Sequence, residues 1–520
     1  MARLLSTKLL NSSSSILDSE SYAYNQAGQR TAETNTTGDF RNYAYDNIGQ
    51  LKTAIGKTSG GTTNRWQEQL GYAYDAAGNL NFRTNNTLLQ NFNVNNLNEL
   101  TTETNGGALT VAGTTTSPAT NVTVNASNAV LYADSTFAST NQPWVNGTNT
   151  FTAIAKDSYG RVGTNTVTVA LQATNNYNYD LNGNLTNDGT RNFAYDDENQ
   201  LTSDWVANTC SNSFAYDGKL RRRIERYYSW SGSSWTQTNE IHFIYDGNVV
   251  IQERDLNNNL LVTYTRGYDL SGALQGAGGI GGLLARMDYG QEIPGSPITA
   301  YYHADGNGNV TCLIYTNQLT AAKYLYGPYG DTLSLSGPLA SLNVYRFSSK
   351  EWNSSAGLYY YLYRFYDPNL QRWPNRDPIG EIGFEIAKLH EAMPSTGLFL
   401  RVVESAEEPN VNEIVFVKNN PISSVDSFGL CPPKDPCAKE KQYFKRASAD
   451  ASVACGAAII LITGGPIDII GGGACLWTSL RALQAENEWL DCKDAHNPNP
   501  KPPPPPNPPD PHPPLIPWGI

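Results

Sequence analysis

Aromatic and polar positions alternate in short runs that recur along most of the chain. The run Tyr43-Ala-Tyr45-Asp46-x-x-Gly49-Gln50-Leu51 returns over 72–80 and again over 177–185. The two tyrosines of a run share one face of a β-strand, because side chains alternate with a period of two. Asp followed three residues later by Gly is typical of a type I turn. Each copy therefore predicts a β-hairpin with aromatic residues on one side.

Weaker copies of the run extend this array. They begin at Tyr22, Phe92, Phe193, Phe214 and Phe243. A lone hairpin is marginally stable in water, so the copies are expected to stack and to bury one continuous aromatic face. The sequence predicts a mainly β fold in which the hairpins of 21–107 and 173–300 build one curved sheet.

Two segments interrupt the array. Over 108–172 the tyrosines give way to alternating Thr, Val and Asn, which favours a small inserted β-sandwich of the immunoglobulin-like kind. Gly276-Ala-Gly278-Gly-Ile-Gly281 fits a dinucleotide-binding pattern, yet Gly290 and Pro294 would end the required helix early. No acidic residue follows at the spacing that holds a ribose. We therefore expect a flexible glycine-rich loop there.

Composition and charge narrow the function classes. The chain has 520 residues and a net charge of −12, which argues against a dedicated nucleic-acid-binding protein. Tyr outnumbers Phe by 31 to 15, in keeping with a fold built from strands. Residues 1–20 make no clear export signal, since Lys8 interrupts their apolar positions.

Isolated polar residues offer little chemistry of their own. The five histidines are scattered, without the spacing of metal ligands, and no metal or cofactor is expected. His303 is expected to be a satisfied polar residue in a strand. Arg221–Arg223 is expected to lie on a solvated strand rather than to bind acidic groups.

The stretch 301–430 carries the most specific motifs. They are Tyr301-Tyr-His-Ala-Asp305-Gly-Asn-Gly-Asn309, Tyr345-Arg-Phe-Ser-Ser-Lys350-Glu, Gly357-Leu-Tyr-Tyr-Tyr361-Leu-Tyr-Arg364-Phe-Tyr-Asp367-Pro368 and Arg372-Trp373-x-x-Arg376-Asp377-Pro378. This stretch closely resembles the Rhs repeat-associated core of the YD-repeat family, which includes Rhs proteins, teneurins and Tc-toxin C subunits. With the hairpins, the resemblance covers about residues 20–430 apart from the insert.

The resemblance implies a shell and its contents. In that family the repeats form a spiral β-sheet that closes into a hollow shell, and the core plugs one end. The variable C-terminal segment, often a toxin, is held inside as cargo. With so few repeats, this chain is expected to form a partial shell.

The resemblance also implies self-cleavage at the end of the core. Arg376 and Asp377 match the first family motif, and Asp426-x-x-Gly429-Leu430 matches the second. The implied catalytic residues are Asp377, Asp426 and Arg376, with Arg376 holding one carboxylate ionised. The implied scissile bond joins Leu430 to Cys431.

Two departures from the family pattern bear on that site. Ser427 follows Asp426 where the family usually has proline, and the spacer after Gly383 is expanded until the pattern resumes at Asn412. Pairing of the two acids requires this insert to loop out, which costs little because loop-closure entropy grows slowly with length.

Two readings of the acids stay open. Two neighbouring carboxylates in a dry site do not both ionise easily, so one keeps its proton. The charged one can then activate water, while the protonated one polarises the carbonyl or protonates the leaving amine. Alternatively, Asp377 and Asp426 simply cap turns, where Asp is common.

The tail changes character after Leu430. Residues 431–500 hold five cysteines of undetermined pairing and a nearly uncharged stretch, 451–480, that suggests an α-helical hairpin. It is either a membrane-contacting payload or a disulfide-stapled helical pair or shell lining. Residues 501–520 are proline-rich and favour polyproline II.

Two functions from different classes follow. The first is a structural shell fragment, secreted or at the cell surface, that encloses or presents its own C-terminal segment in toxin delivery or intercellular competition. An immunity protein or secretion machinery would be its partner. The second is a non-enzymatic surface module that binds carbohydrate or another cell. Autoproteolysis by the two aspartates is the one enzymatic activity considered.

Overall fold

The computed structural model describes residues 3–290, 297–378 and 414–430. The chain divides into two units, Met1–Cys431 and Pro432–Ile520. The helical hairpin, the membrane contact of 451–480 and the proline-rich tail predicted for the second unit lie outside the described residues. The described residues contain many strands, two short 3-10 helices (Phe347–Ser349 and Phe416–Asn419) and no α-helix, so the prediction of a mainly β fold is confirmed.

Ten of the described strands form the first antiparallel sheet, in which each strand pairs with its neighbour along the chain except at one end. They are β1 (Ser6–Leu10), β2 (Ile16–Tyr24), β3 (Arg30–Asn35), β4 (Phe40–Tyr45), β5 (Leu51–Lys57), β6 (Asn64–Tyr74), β7 (Leu80–Asn85), β8 (Leu88–Val94), β9 (Leu100–Gly107) and β17 (Thr174–Asn176). The exception is β17, which pairs with β9 across the insert.

Fourteen described strands form the second sheet, again in chain order. They are β18 (Asn178–Tyr179), β19 (Leu185–Asn187), β20 (Arg191–Tyr195), β21 (Leu201–Val206), β22 (Cys210–Tyr216), β23 (Arg222–Trp230), β24 (Trp235–Asp246), β25 (Val249–Asp255), β26 (Leu260–Arg266), β27 (Leu283–Asp288), β28 (Ile298–Ala304), β29 (Val310–Tyr315), β30 (Thr320–Tyr326) and β31 (Thr332–Ser336).

The insert folds as two small sheets around a core of its own. One sheet has the order β10-β14-β13 and the other β12-β11-β15-β16. Their strands are β10 (Leu109–Thr114), β11 (Asn121–Val124), β12 (Ser127–Asn128), β13 (Val130–Leu131), β14 (Thr136–Gln142), β15 (Gly147–Lys156) and β16 (Val162–Leu171). Val122 and Val124 from one sheet pack with Phe137 from the other. Arg65 of β6 anchors the insert to the hairpins through Asp134, 2.7 Å away.

The turns of the hairpins follow one pattern, which Asp46 illustrates. Gly49 N–H donates to the Asp46 carbonyl, and Oδ1 of Asp46 accepts the N–H groups of Ile48 and Gln50. Gly49 has a φ of +91°, and the strand register shifts just before Tyr45. This is a type I turn followed by a bulge, a common hairpin connection that needs a left-handed residue at its fourth position.

In six of the described runs, the second tyrosine joins its hairpin to the hairpin before it. The hydroxyl donates to the carbonyl of the residue that follows the preceding turn. Examples are Tyr45 to Arg30 (2.7 Å), Tyr74 to Leu51 (2.9 Å), Tyr195 to Leu185 (3.0 Å), Tyr216 to Leu201 (2.6 Å), Tyr245 to Arg222 (2.8 Å) and Tyr326 to Val310 (2.8 Å). We call these bonds the tyrosine links.

A side-chain seam joins the beginning of the first sheet to the end of the second. Asp18 of β2 accepts a hydrogen bond from Thr311 of β29 at 2.7 Å and lies 3.0 Å from Nδ1 of His303. Arg41 of β4 donates to the Tyr326 carbonyl at 3.0 Å. His303 was expected to be a satisfied polar residue, and its Nδ1 atom has Asp18 of the first sheet as a partner.

The hairpins surround a block formed by residues 339–378 and 414–430, which we call the core block. It contains β32 (Glu351–Asn353), β33 (Leu358–Tyr360) and β34 (Phe365–Tyr366). Side chains from both sheets hold its backbone: Arg83 donates to the Asn369 carbonyl and Arg191 to the Ala356 carbonyl.

One arginine prediction is wrong. Arg222 was expected on a solvated strand, but it is fully buried and pairs with Glu225 at 2.9 Å and with Glu351 of the core block. The side chain would be exposed on a lone hairpin, but it is buried here because the core block covers it.

The tyrosine links lead to a stability prediction. Replacing Tyr195 with Phe removes only the hydroxyl and leaves the Leu185 carbonyl without this donor, so the free energy of unfolding should fall by about 1 kcal/mol. Denaturant titration measures the change. Tyr159→Phe is the control, because Tyr159 is 84% exposed; equal effects of the two substitutions would contradict the role of the link.

Asp204 leads to a pH prediction. Burial raises the pKa of Asp204 to about 6, although Asn212 donates to both of its oxygens. The folded state therefore holds a proton that the unfolded state releases, and this group destabilises the fold as pH rises through 6.

Asp204→Asn should consequently stabilise the protein at pH 8, by roughly 2 kcal/mol, and leave its stability unchanged at pH 4. Thermal melting at both values is the measurement. Asp197→Asn, at an exposed position, is the matched control. A gain from Asp204→Asn that is the same at both pH values would refute the explanation.

Candidate functional site

Arg364, between β33 and β34, lies beside both predicted aspartates. Its Nη2 atom is 2.9 Å from Oδ2 of Asp377 and 3.9 Å from Oδ2 of Asp426. The exposed fractions of Arg364, Asp377 and Asp426 are 1%, 4% and 5%. The two acids and one guanidinium therefore share a site that is almost closed to water.

Asp426 also caps the turn that carries the predicted scissile residue. Its Oδ1 accepts the N–H groups of Phe428 at 3.1 Å, Gly429 at 2.8 Å and Leu430 at 3.0 Å. Its other oxygen faces Arg364. Turn capping thus accounts for one oxygen of Asp426, and the second oxygen lies 3.9 Å from Nη2 of Arg364.

The surroundings of Asp426 shift the pKa of its carboxyl upward. Burial raises the pKa of the Asp426 carboxyl above its ordinary value, Arg364 and the backbone N–H groups oppose this shift, and the charge of Asp377 adds to it. A carboxyl that keeps its proton beside a second acid can serve as a proton donor.

The chain passes very close to Arg364 at Gly429. Nε of Arg364 donates to the Gly429 carbonyl, and Gly429 has a φ of +74°. A Cβ atom at this position would lie 3.1 Å from Cβ of Tyr361. Glycine therefore lets the backbone approach the guanidinium in a left-handed conformation. Cys431 lies outside the described residues.

Arg376 occupies a different place from the one expected. Its side chain is exposed and lies against the turn at Gly183, where a Cβ atom would come within 2.8 Å of Nε of Arg376. The guanidinium beside Asp377 belongs to Arg364, which corrects the role that the resemblance implied for Arg376.

Arg364 was missed because it stands within the run Tyr361-Leu-Tyr-Arg364-Phe-Tyr, which reads as a strand. Its guanidinium stacks over the Trp373 ring at 4.2 Å. One charged residue inside six mostly aromatic positions was the available signal, since a buried charge needs a partner.

The ends of the expanded spacer are held together. Trp373 N–H donates to the Ile414 carbonyl at 3.0 Å, and Arg372 forms a β-bridge with Val415. Residues 374–378 and 416–430 can therefore meet although the chain between them, 379–413, is long.

The described residues offer neither a metal-binding cluster nor a membrane-spanning helix. Residues 3–290, 297–378 and 414–430 contain no group of three or more His, Cys, Asp or Glu side chains placed to hold a metal ion. Within the same ranges no helix has the length and apolar character required to cross a membrane.

Curated relatives of the chain include toxins. It is 25% identical over 206 residues to the tRNA3(Ser)-specific nuclease WapA of Bacillus spizizenii, a match that covers 38% of this chain and 8% of that protein. It is 32% identical over 120 residues to the toxin subunit YenC1 of Yersinia entomophaga, covering 22% of this chain and 9% of the subunit. The matches thus span less than a tenth of either relative.

A solved structure and the family models complete the comparison. The crystal structure of TcdB2-TccC3 aligns with 82% of this chain and 21% of that one, at 16% sequence identity and a TM-score of 0.35. No family model matches the chain. Membership of the YD-repeat family therefore stays an expectation from the motifs.

The two arginines of this region should differ sharply in their effect on stability. Arg364→Gln removes the cation 2.9 Å from the buried Asp377, and loss of one partner of a buried ion pair costs about 3 kcal/mol or more. Arg376→Gln changes an exposed side chain and should cost less than about 0.5 kcal/mol. Denaturant titration measures the free energy of unfolding of both variants. Similar decreases would contradict the assignment of Arg364 as the partner of Asp377.

Proposed function

We propose that this chain is a structural fragment of an Rhs-type shell that cuts itself after Leu430 and so releases its own C-terminal segment. The observation that carries the proposal is the position of Arg364. It contacts both buried acids and the Gly429 carbonyl, one residue before the proposed cleavage residue.

The proposed reaction is hydrolysis of the peptide bond between residues 430 and 431. Asp377, paired with Arg364, acts as the charged carboxylate and takes a proton from water as the oxygen attacks the Leu430 carbonyl carbon. Asp426, whose pKa is raised, gives its proton to the leaving amine as the C–N bond breaks. The products are a new carboxylate at Leu430 and a new amino terminus at Cys431.

A toxin-related setting is supported by the relatives. One bears the name of a tRNA nuclease and another that of a toxin subunit. By analogy, residues 431–520 are the cargo of this chain, an immunity protein or secretion machinery is its partner, and the protein acts in a secreted or surface-bound form.

The packing of the repeat tyrosines disfavours the carbohydrate-binding alternative. The first tyrosines of the three strongest runs, Tyr43, Tyr72 and Tyr177, are buried. Second tyrosines such as Tyr45 and Tyr74 use their hydroxyls in tyrosine links. A sugar platform would need exposed rings instead.

Cleavage is tested by cell-free synthesis of the full chain, followed by gel electrophoresis and mass spectrometry. We expect a fragment that begins at Cys431. Asp377→Asn and Asp426→Asn should each slow its appearance by about 100-fold or more, because each removes a proton-transfer group. Asp426→Asn keeps a side-chain oxygen that can cap the turn.

Asp75→Asn is the matched control, because Asp75 also caps a turn, with Oδ1 accepting the N–H groups of Ala77 and Asn79, and lies in the hairpin array. It should cleave at the rate of the unchanged chain. An unchanged chain that stays intact would remove self-cleavage from the proposal. Equal slowing by Asp75→Asn would show that turn stability, rather than proton transfer, controls the reaction.

A further inference from the structure

A second contact holds the turn that contains the proposed cleavage site. Nζ of Lys350 donates to the Ser427 carbonyl at 2.7 Å and to the Gly278 carbonyl at 3.0 Å. Lys350 is 7% exposed and lies over the Tyr361 ring. This lysine therefore joins the core block to the glycine-rich loop of the hairpin array.

The same carbonyl is in close contact with the backbone of that loop. Gly278 has a φ of +61°, and a Cβ atom built on it would lie 1.8 Å from the Ser427 oxygen. Because the obstacle is backbone, no side-chain rotation relieves the overlap. Any residue other than glycine at 278 has to move either the loop or the turn.

Hydrogen bonds to Asp269 and Ser349 hold the glycine-rich loop in place, contrary to the prediction that it is flexible. Oδ2 of Asp269 accepts the N–H groups of Ala277 at 2.7 Å and Gly279 at 3.1 Å. Gly281 N–H donates to the Ser349 hydroxyl, and Ile280 is fully buried. The loop can thus serve as a rigid support for Ser427.

We propose that Lys350 and Gly278 are positioning residues for self-cleavage: they clamp the Ser427 carbonyl and so hold the segment 426–430 in place for Asp377 and Asp426. We call this arrangement the Ser427 clamp. It rests on the proposed function. Arg364 holds the Gly429 carbonyl independently, so two carbonyls of one short turn are fixed from two separate elements.

The clamp accounts for two features of the sequence. Gly276–Gly281 has the glycines of a nucleotide-binding loop without the rest of that motif, and here glycine is needed because a backbone carbonyl lies against it. Ser427 replaces the proline usual in the resembled family, and the clamp uses only the carbonyl, which proline also has.

The first test measures amide hydrogen exchange by mass spectrometry in full chains that carry Asp377→Asn, so that each stays intact. The N–H groups of Phe428, Gly429 and Leu430 are bound to Asp426, and their exchange reports whether the turn is held. Gly278→Ala and Lys350→Met should each speed exchange in this segment by 10-fold or more.

Gly272→Ala is the matched control within the same loop. Gly272 has a φ of +75°, so alanine suffers the same backbone strain there, but a Cβ atom would meet nothing within 4 Å. It should leave exchange in 426–430 unchanged. Thermal melting of all three variants shows whether each is folded. If Gly278→Ala has no melting transition, the exchange rate of Lys350→Met is the result that tests the clamp.

The second test follows cleavage of the same variants without Asp377→Asn. Gly278→Ala and Lys350→Met should slow the appearance of the fragment by 10-fold or more, since small displacements at a reacting bond have effects of this size. Lys350→Arg, which keeps a cationic donor, should recover part of the rate. Gly272→Ala, whose Cβ atom would meet nothing within 4 Å, should cleave normally.

The outcomes separate the clamp from the proposed function. Unchanged exchange in Gly278→Ala and Lys350→Met would overturn the clamp whatever happens to cleavage. Faster exchange with normal cleavage would overturn its positioning role. Faster exchange in a protein whose unchanged chain never cleaves would leave the clamp standing as a structural contact and remove self-cleavage.

Discussion

The hydrogen bond from a tyrosine hydroxyl to the carbonyl after the preceding turn is the interaction on which the array depends. Each turn is followed by a bulge, and bulges disturb the regular pairing of a β-ladder. A buried carbonyl that lacks a donor costs about 1–3 kcal/mol. In six of the described runs the tyrosine of a later hairpin supplies this donor to an earlier one. Neighbouring hairpins of the array are therefore joined by hydrogen bonds as well as by the apolar contacts of their aromatic side chains.

Both long interruptions of the sequence begin and end at adjacent points of the fold. The insert of 108–172 departs from β9 and returns at β17, which pairs directly with β9. Leu100 N–H then donates to the hydroxyl of Tyr179, the second tyrosine of the next run. Likewise, Trp373 and Ile414 hold the ends of 379–413 together. An extra segment that leaves and re-enters at adjacent points has an entropic cost that rises only slowly with its length.

The sequence alone was sufficient for features that repeat or that are local. Tyr43 and Gly49 predicted strand and turn, because period and turn chemistry act over a few residues. The motifs also selected Asp377 and Asp426, which the structure places beside one guanidinium. That Arg364 rather than Arg376 supplies this group depends on which side chain the fold buries, and the local signal for it was a single charge inside a mostly aromatic run. The burial of Arg222 and the rigid support of Gly278 were missed for the same reason, since each depends on the core block.

The seam at Asp18 has a consequence for how such a protein can change in length. Hairpins joined by a tyrosine link carry a hydroxyl donor before one turn and a carbonyl acceptor after another, so duplication of such a unit in the gene would create compatible partners on both sides. The contacts of Asp18 with His303 and Thr311 are different, because they join residues from opposite ends of the array. Adding or deleting a hairpin between them would separate these partners. The hairpins thus permit growth by duplication, whereas the contacts of the seam require a fixed number of hairpins between Asp18 and its partners.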